Sequence, residues 1–277
     1  MITETVLEMH YHRPIMDLVR STLRLGTTTG VNFYKYSQQK EAFIGFDQAY
    51  VTSDLSEEDF FQVLKTASMT NNYQLNSKYV GFFLQFKVVK EMQVRKKYTP
   101  PTITNRPHYR VSLDTTRNIN TGVSQHELLY NLKKNSGALV FYACPMIFDR
   151  AMLYDVNVDL STLRLADVRS CSSAYMDNDN HFIYYNDQNS APVWCSEPVV
   201  GEDIDPKSFA RILVSHTDSL DASGSASALL KMLTNLDFAG VSPESDLLKE
   251  RTTPSILPLI GDTLTIVKIP VQTEQGA

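Results

Sequence analysis

The sequence offers little of what usually identifies a chain. Cysteine is scarce: 277 residues hold three, Cys144, Cys171 and Cys195. They are far apart and odd in number, with no CxxC pair and no Cys/His cluster. This excludes a disulfide-dense scaffold and a zinc site of the usual spacing. Reduced thiols in a cytoplasmic protein are the expectation. Long apolar runs are lacking too. No window approaches the roughly twenty residues that a helix needs to span a bilayer, so no membrane association is expected. Residues 1–5 show no basic stretch followed by an apolar core, so no signal peptide is expected. Positive charge is not in excess: the net charge is −5. The whole molecule is therefore no generic polyanion binder, and contact with nucleic acid needs a local basic patch. No Gly-x-Ser-x-Gly elbow accompanies Ser215, His216 and Asp218, which lie too close in sequence to form a triad. Gly224, in Ala222-Ser223-Gly224-Ser225, lacks the lysine of a phosphate loop.

What is present reads as a globular protein of alternating helices and strands. Hydrophobic residues make up 43% and charged residues 21%, enough apolar material for a well-buried core in a chain of this length. Apolar residues at three- and four-residue steps predict a helix over 3–25, with Thr3 or Thr5 as cap, Gly26 as stop and Pro14 inside. Short strands are predicted at 31–36 and 41–52. A helix is predicted over 56–70, and a polar loop over 70–78. Further strands are predicted over 79–89, 109–113, 138–143 and 162–168. A helix capped by Ser124 is predicted over 124–134 and ends at Gly137. Residues 181–186 and 191–195 read as a hairpin. Beyond Pro206 the character changes. Helices at 209–217 and 228–236 flank a small polar stretch, 219–227, that reads as a linker, and a last strand falls at 264–269. The chain is thus divided at 206, into a domain over 1–205 and a C-terminal subdomain or oligomerisation arm over 206–277.

One run carries chemistry. Tyr79-Val80-Gly81-Phe82-Phe83-Leu84-Gln85-Phe86-Lys87-Val88-Val89 reads as a buried strand, yet it contains a lysine. An unpaired ammonium in a dry site costs several kcal/mol, so Lys87 needs a reason. Gln85 and Lys87 alternate with Leu84 and Phe86 and so share a face. The preceding strand carries Gly45-Phe46-Asp47, and a carboxylate, an amide oxygen and an ammonium on one surface can hold a divalent metal and orient a water. The bland alternative is a buried ion pair between adjacent strands. Glu41 shares the face of Asp47 if that strand is regular. His10 and His12 with Glu8 do not make a metal set, because residues two apart on a helix do not face each other. The one strongly basic stretch, 90–110, holds Lys90, Arg95, Lys96, Lys97, Arg106 and Arg110 beside Tyr98 and Tyr109. It reads either as a phosphate-contacting segment or as a solvated loop.

The order helix, strand, strand with Asp47, strand with Gln85-Phe86-Lys87, helix, strand resembles the core of the restriction-endonuclease-like, or PD-(D/E)XK, nuclease superfamily. The resemblance spans residues 3–145, and a glutamine in place of the acidic residue is seen in the branch that includes methylation-dependent restriction enzymes. It implies an α/β fold with a small mixed sheet and a C-terminal elaboration. It also implies a site that binds Mg2+ or Mn2+ and cuts DNA phosphodiesters. On that resemblance Asp47 is the main metal ligand and Gln85 a weaker one. Lys87 stands by the attacking water and the scissile phosphate. Glu8, or Glu4, supplies the helix carboxylate, Glu41 is a further ligand, and Gln125 assists at the phosphate; otherwise Gln125 is a helix-surface amide. The implied setting is a restriction or anti-phage system, with DNA as partner and a homodimer or partner subunits as the assembly. Two other readings stay open. One is a degenerate nuclease-like protein that only binds nucleic acid or a partner. The other is a non-enzymatic assembly subunit.

Overall fold

Helix α1 (Glu4–Thr22) forms where the apolar spacing predicts it. The Thr3 hydroxyl accepts a hydrogen bond from the Val6 amide at 3.3 Å, and Glu4 places a carboxylate in the first turn. Pro14 lies inside the helix without ending it. Arg24, at φ 53°, follows the last turn in the left-handed region. The computed structural model describes residues 2–25, 31–34, 62–66, 77–117, 123–153, 158–171, 180–195, 198–238 and 263–270. The strand expected at 41–52, with Gly45, Glu41 and Asp47, lies outside the described residues, as does most of the helix expected at 56–70, of which 62–66 are helical. The fold is α/β, with helices and mixed parallel and antiparallel strands.

The chain divides into two compact units. One comprises Met1–Val19, Leu84–Asn131 and Val140–Ala210; the other comprises Arg20–Phe83, Leu132–Leu139 and Arg211–Ala277. The division does not fall at 206, where composition suggests a boundary.

The first unit holds the C-terminal end of β2 (Ser77–Phe86), then β3 (Val89–Met92) and β4 (His108–Ser112). Helix α2 (Gln125–Ser136) starts in this unit and leads to β5 (Leu139–Pro145) and β6 (Leu163–Asp167). The strands β7 (Phe182–Tyr185), β8 (Val193–Trp194) and β9 (Val199–Val200) complete it. β2 lies beside β5, and β5 pairs antiparallel with β6, from Phe141↔Asp167 to Pro145↔Leu163. A second sheet runs β3-β4-β7-β8-β9, with every pair antiparallel. Residues of both its faces are buried, His108, Tyr184 and Val193 on one side among them. Val89, Tyr109, Val111, Ile183, Tyr185 and Trp194 form one buried face. Helix α1 lays Leu7, Tyr11, Ile15 and Val19 inward, with the Tyr11 ring 6.2 Å from Phe86 and its hydroxyl hydrogen-bonded to Thr162. Ser124 caps α2 by accepting from the Glu127 amide at 3.1 Å, and Gly137 ends it at φ +71°. The strand expected over 79–89 is in fact two. β2 stops at Phe86, and β3 begins at Val89 in the other sheet. Lys87 sits at that change of sheet, its amide still bonded to the Ala143 carbonyl at 2.9 Å.

In the second unit β1 (Val31–Tyr34) pairs antiparallel with β10 (Thr263–Pro270), and the order is β1-β10-β2. The final strand therefore belongs to the sheet that contains β2 rather than to an appended arm. Helix α3 (Pro206–Asp218) is followed by α4 (Ala222–Phe238), which begins inside the stretch expected to be a linker. Asp221 caps α4, its carboxylate accepting from the Gly224 amide at 2.6 Å. The small residues have a packing reason. A Cβ on Gly81 of β2 would meet Met232 at 2.5 Å and Leu229 at 3.1 Å, so helix and strand approach closely. The Ser225 hydroxyl, 2% exposed, accepts the Tyr79 amide at 3.0 Å. Ser225→Ala strands that buried donor and is expected to cost about 1–3 kcal/mol. The shift of the urea-denaturation midpoint measures it.

Candidate active site

The fold brings three chain segments to one ammonium. Lys87 leaves the end of β2, Glu4 opens the first turn of α1, and Gln125 is the first residue of α2. The Lys87 Nζ donates to Gln125 Oε1 at 2.9 Å and lies 3.4 Å from Glu4 Oε1. The lysine side chain is 6% exposed and that of Glu4 45%, so the charge is buried and its counter-charge reaches solvent. Both helices present their N-termini here. Those ends carry partial positive charge and repel a cation, which makes Glu4 a necessary neighbour and the site as a whole receptive to anions.

Gln85, 3% exposed, lies two residues before Lys87, near the end of β2. Its Nε2 donates to the Phe86 carbonyl at 3.3 Å, while Oε1 is buried and has no hydrogen-bond partner among the described residues. An orphaned amide oxygen is costly in a dry interior, and it is an oxygen ligand available to a hard cation. Glu8 is buried on the same face of α1, one turn beyond Glu4. Asp47 and Glu41 lie outside the described residues. Among the described residues, no three His, Cys, Asp or Glu side chains group as a metal cage. Gln85 Oε1 and the carboxylates of Glu4 and Glu8 are all hard oxygens.

Under the site lies an apolar floor. Burial pushes the Cys144 thiol up to about 12, with Tyr185, Lys87 and Glu4 as its lesser influences. Burial likewise pushes the Cys171 thiol up to about 12. Neither is a thiolate at neutral pH, which excludes both as nucleophiles. Ser215, His216 and Asp218 occupy neighbouring positions at the end of α3 and form no triad.

The basic segment is a built cap over the second sheet rather than a loose loop. Ile103, 0% exposed, packs with Tyr184 and Val193 on the outer face. The Asn186 side chain accepts from the amides of Thr104 and Asn105, each at 2.9 Å. The Arg95 guanidinium donates to the carbonyls of Thr99 and Pro100, at 3.5 and 3.1 Å, and so pins the loop. Arg110 is half-buried, its guanidinium 4.6 Å from the centre of the Phe182 ring. Lys90, Lys96, Lys97 and Arg106 are exposed. None of them has a carboxylate partner among the described residues.

Lys87 and Gln125 meet in a hydrogen bond, whereas Gln85 bonds the neighbouring Phe86 carbonyl. Glu4, in the first turn of α1, is a helix carboxylate that meets Lys87. The available signal was position, since Glu4 falls in the first helical turn. Sequence reasoning passed over His126, beside Gln125 in α2. Fully buried, it hydrogen-bonds Tyr142 through Nδ1 at 2.8 Å and Cys171 through Nε2 at 3.1 Å. Burial first, and His181 second, lower its pKa to about 3, so it is neutral and structural. Among the described residues no helix is long and apolar enough to cross a membrane. No family model, curated protein or solved structure matches the chain.

Proposed function

We propose that this chain is a metal-dependent nuclease that hydrolyses phosphodiester bonds, with DNA as substrate. The observation that carries the reading is the buried Lys87 ammonium, held by Glu4 and Gln125 where two helix N-termini meet the end of β2. Magnesium or manganese, held by Asp47, Gln85, Glu8 and Glu41, would supply Lewis-acid polarisation of the phosphoryl oxygen and a water of lowered pKa. Lys87 offsets the charge that grows on the phosphoryl group in the transition state, and its burial makes that interaction stronger than in water. Gln125 and Glu4 keep the ammonium pointed and leave it one donor for the substrate. The exposed cations of 90–110 hold the flanking phosphates.

A second reading has one specific observation behind it. Glu4 already sits on the ammonium, as it would in a protein that binds nucleic acid without cutting it. The test is incubation of the purified chain with plasmid and single-stranded DNA in magnesium, in manganese and in chelator. Nicking or cutting that needs metal and disappears in Asp47→Ala supports the nuclease. Binding without cleavage in every condition supports the second reading.

A further inference from the structure

We infer that residues 90–110 form a platform for single-stranded nucleic acid, with Tyr98 as the stacking surface for a base and Lys90, Lys96, Lys97 and Arg106 as the phosphate contacts. This deepens the proposed function by naming the form of its substrate, and it rests on that reading for the choice of polymer.

The argument begins with a large apolar ring left in water. Tyr98 is 46% exposed, and Val94 beside it is 58% exposed. The ring is not at a frayed end. Lys97 and Tyr98 are the two central residues of a turn closed by the Thr99 amide on the Lys96 carbonyl at 3.0 Å. The Thr99 hydroxyl closes the turn again by accepting the Lys96 amide at 2.9 Å. Arg95 clamps the next two carbonyls, and Ile103 anchors the loop in the sheet face. From beneath, Phe182 backs Tyr98 at 5.9 Å between ring centres, and Arg110 backs Phe182 in turn. A ring held this way loses little freedom when a partner stacks on it, so less of the stacking energy is offset by ordering.

The surroundings select the partner. Lys97 Nζ lies over the Tyr98 ring, 5.2 Å from its centre; a stacking base displaces this flexible side chain, which then meets the attached phosphate. Lys90 stands opposite Arg110 across β3 and β4, two like charges side by side, an arrangement that an approaching anion relieves. Only Glu91 opposes these cations within 90–110. In a duplex the base faces are covered by their neighbours, so an exposed ring finds nothing to stack on away from an end. A single strand offers base faces and phosphates together, which is the pairing this surface presents.

Binding is read by fluorescence anisotropy with chelator present, so that cleavage plays no part. The probes are labelled short oligothymidylate, oligouridylate of the same length, and a closed DNA hairpin duplex. The expected result is tighter binding of the single strands than of the hairpin. Tyr98→Ala weakens single-strand binding roughly 5- to 150-fold, while Tyr98→Trp keeps it. Lys96→Gln combined with Lys97→Gln lowers the slope of log affinity against log salt by about 1.4, two phosphates at about 0.7 each. Oligothymidylate against oligouridylate tells DNA from RNA. Equal affinity for the hairpin with no effect of Tyr98→Ala overturns the inference, and so does no binding to any probe. Absence of cleavage with the Tyr98-dependent binding intact sinks the nuclease reading alone, and cleavage without any effect of Tyr98→Ala on binding sinks this one alone.

Discussion

Lys87→Met is expected to lower metal-dependent cleavage by about 10²- to 10³-fold, the range for removing one preorganised stabiliser of developing charge. The same change is expected to leave the folded chain about as stable as before. A buried ammonium costs desolvation energy, and methionine occupies a similar volume without that cost. Removing one partner of a buried pair usually strands the other charge. Here the remaining partner, Glu4, has a side chain 45% exposed and rehydrates, so the penalty is discounted. Gln125 is half-buried and its freed oxygen reaches water in the same way. Cleavage assays and urea denaturation on the same preparations separate the roles. Activity lost at constant stability marks a functional lysine kept at the expense of stability. Stability falling by several kcal/mol, in a chain without cleavage, marks a structural ion pair.

Acidification is expected to destabilise this protein through His126. The imidazole has a pKa near 6.5 in the unfolded chain and about 3 in the folded one, lowered by burial. A group with a depressed folded pKa contributes stability that is complete above the unfolded pKa and drains away as pH falls toward the folded one. Between pH 7 and pH 4 the loss is about 3 kcal/mol from this residue, at about 1.4 kcal/mol per unit of pKa difference. The cause is structural. In the neutral ring one nitrogen donates and the other accepts, which suits Tyr142 and Cys171, whereas a protonated ring must donate twice in a dry site. Chemical denaturation of the wild type and of His126→Gln at both pH values measures the difference. The glutamine variant starts less stable and loses about 3 kcal/mol less on acidification. His108 and His216, also lowered chiefly by burial, and the low-titrating Asp159 are common to both proteins and cancel. Equal losses in the two proteins would assign the acid sensitivity to those groups instead.

The sequence by itself determined the local elements. Apolar spacing located α1, Ser124 and Gly137 marked the ends of α2, and the Asn-Asp-Gln-Asn turn between 181–186 and 191–195 announced the β7–β8 hairpin. These signals are legible because caps, turns and periodicity depend on residues a few positions apart. The lone lysine in an apolar run was legible for a similar reason, since a charge among buried neighbours must have partners somewhere. Which partners it has was a tertiary decision. Glu4, Lys87 and Gln125 are separated by long stretches of chain, and only the meeting of α1, β2 and α2 brought them within hydrogen-bond or ion-pair reach. The small residues at 222–226 read as a linker because what they do there, Ser225 accepting the Tyr79 amide of β2, is visible only from the opposite strand. β10 likewise belongs beside β2 through backbone pairing, and backbone hydrogen bonds are blind to distance along the chain. The neutral state of His126 was decided last of all, since it follows from burial and from partners on β5 and beyond β6 rather than from any neighbour in α2.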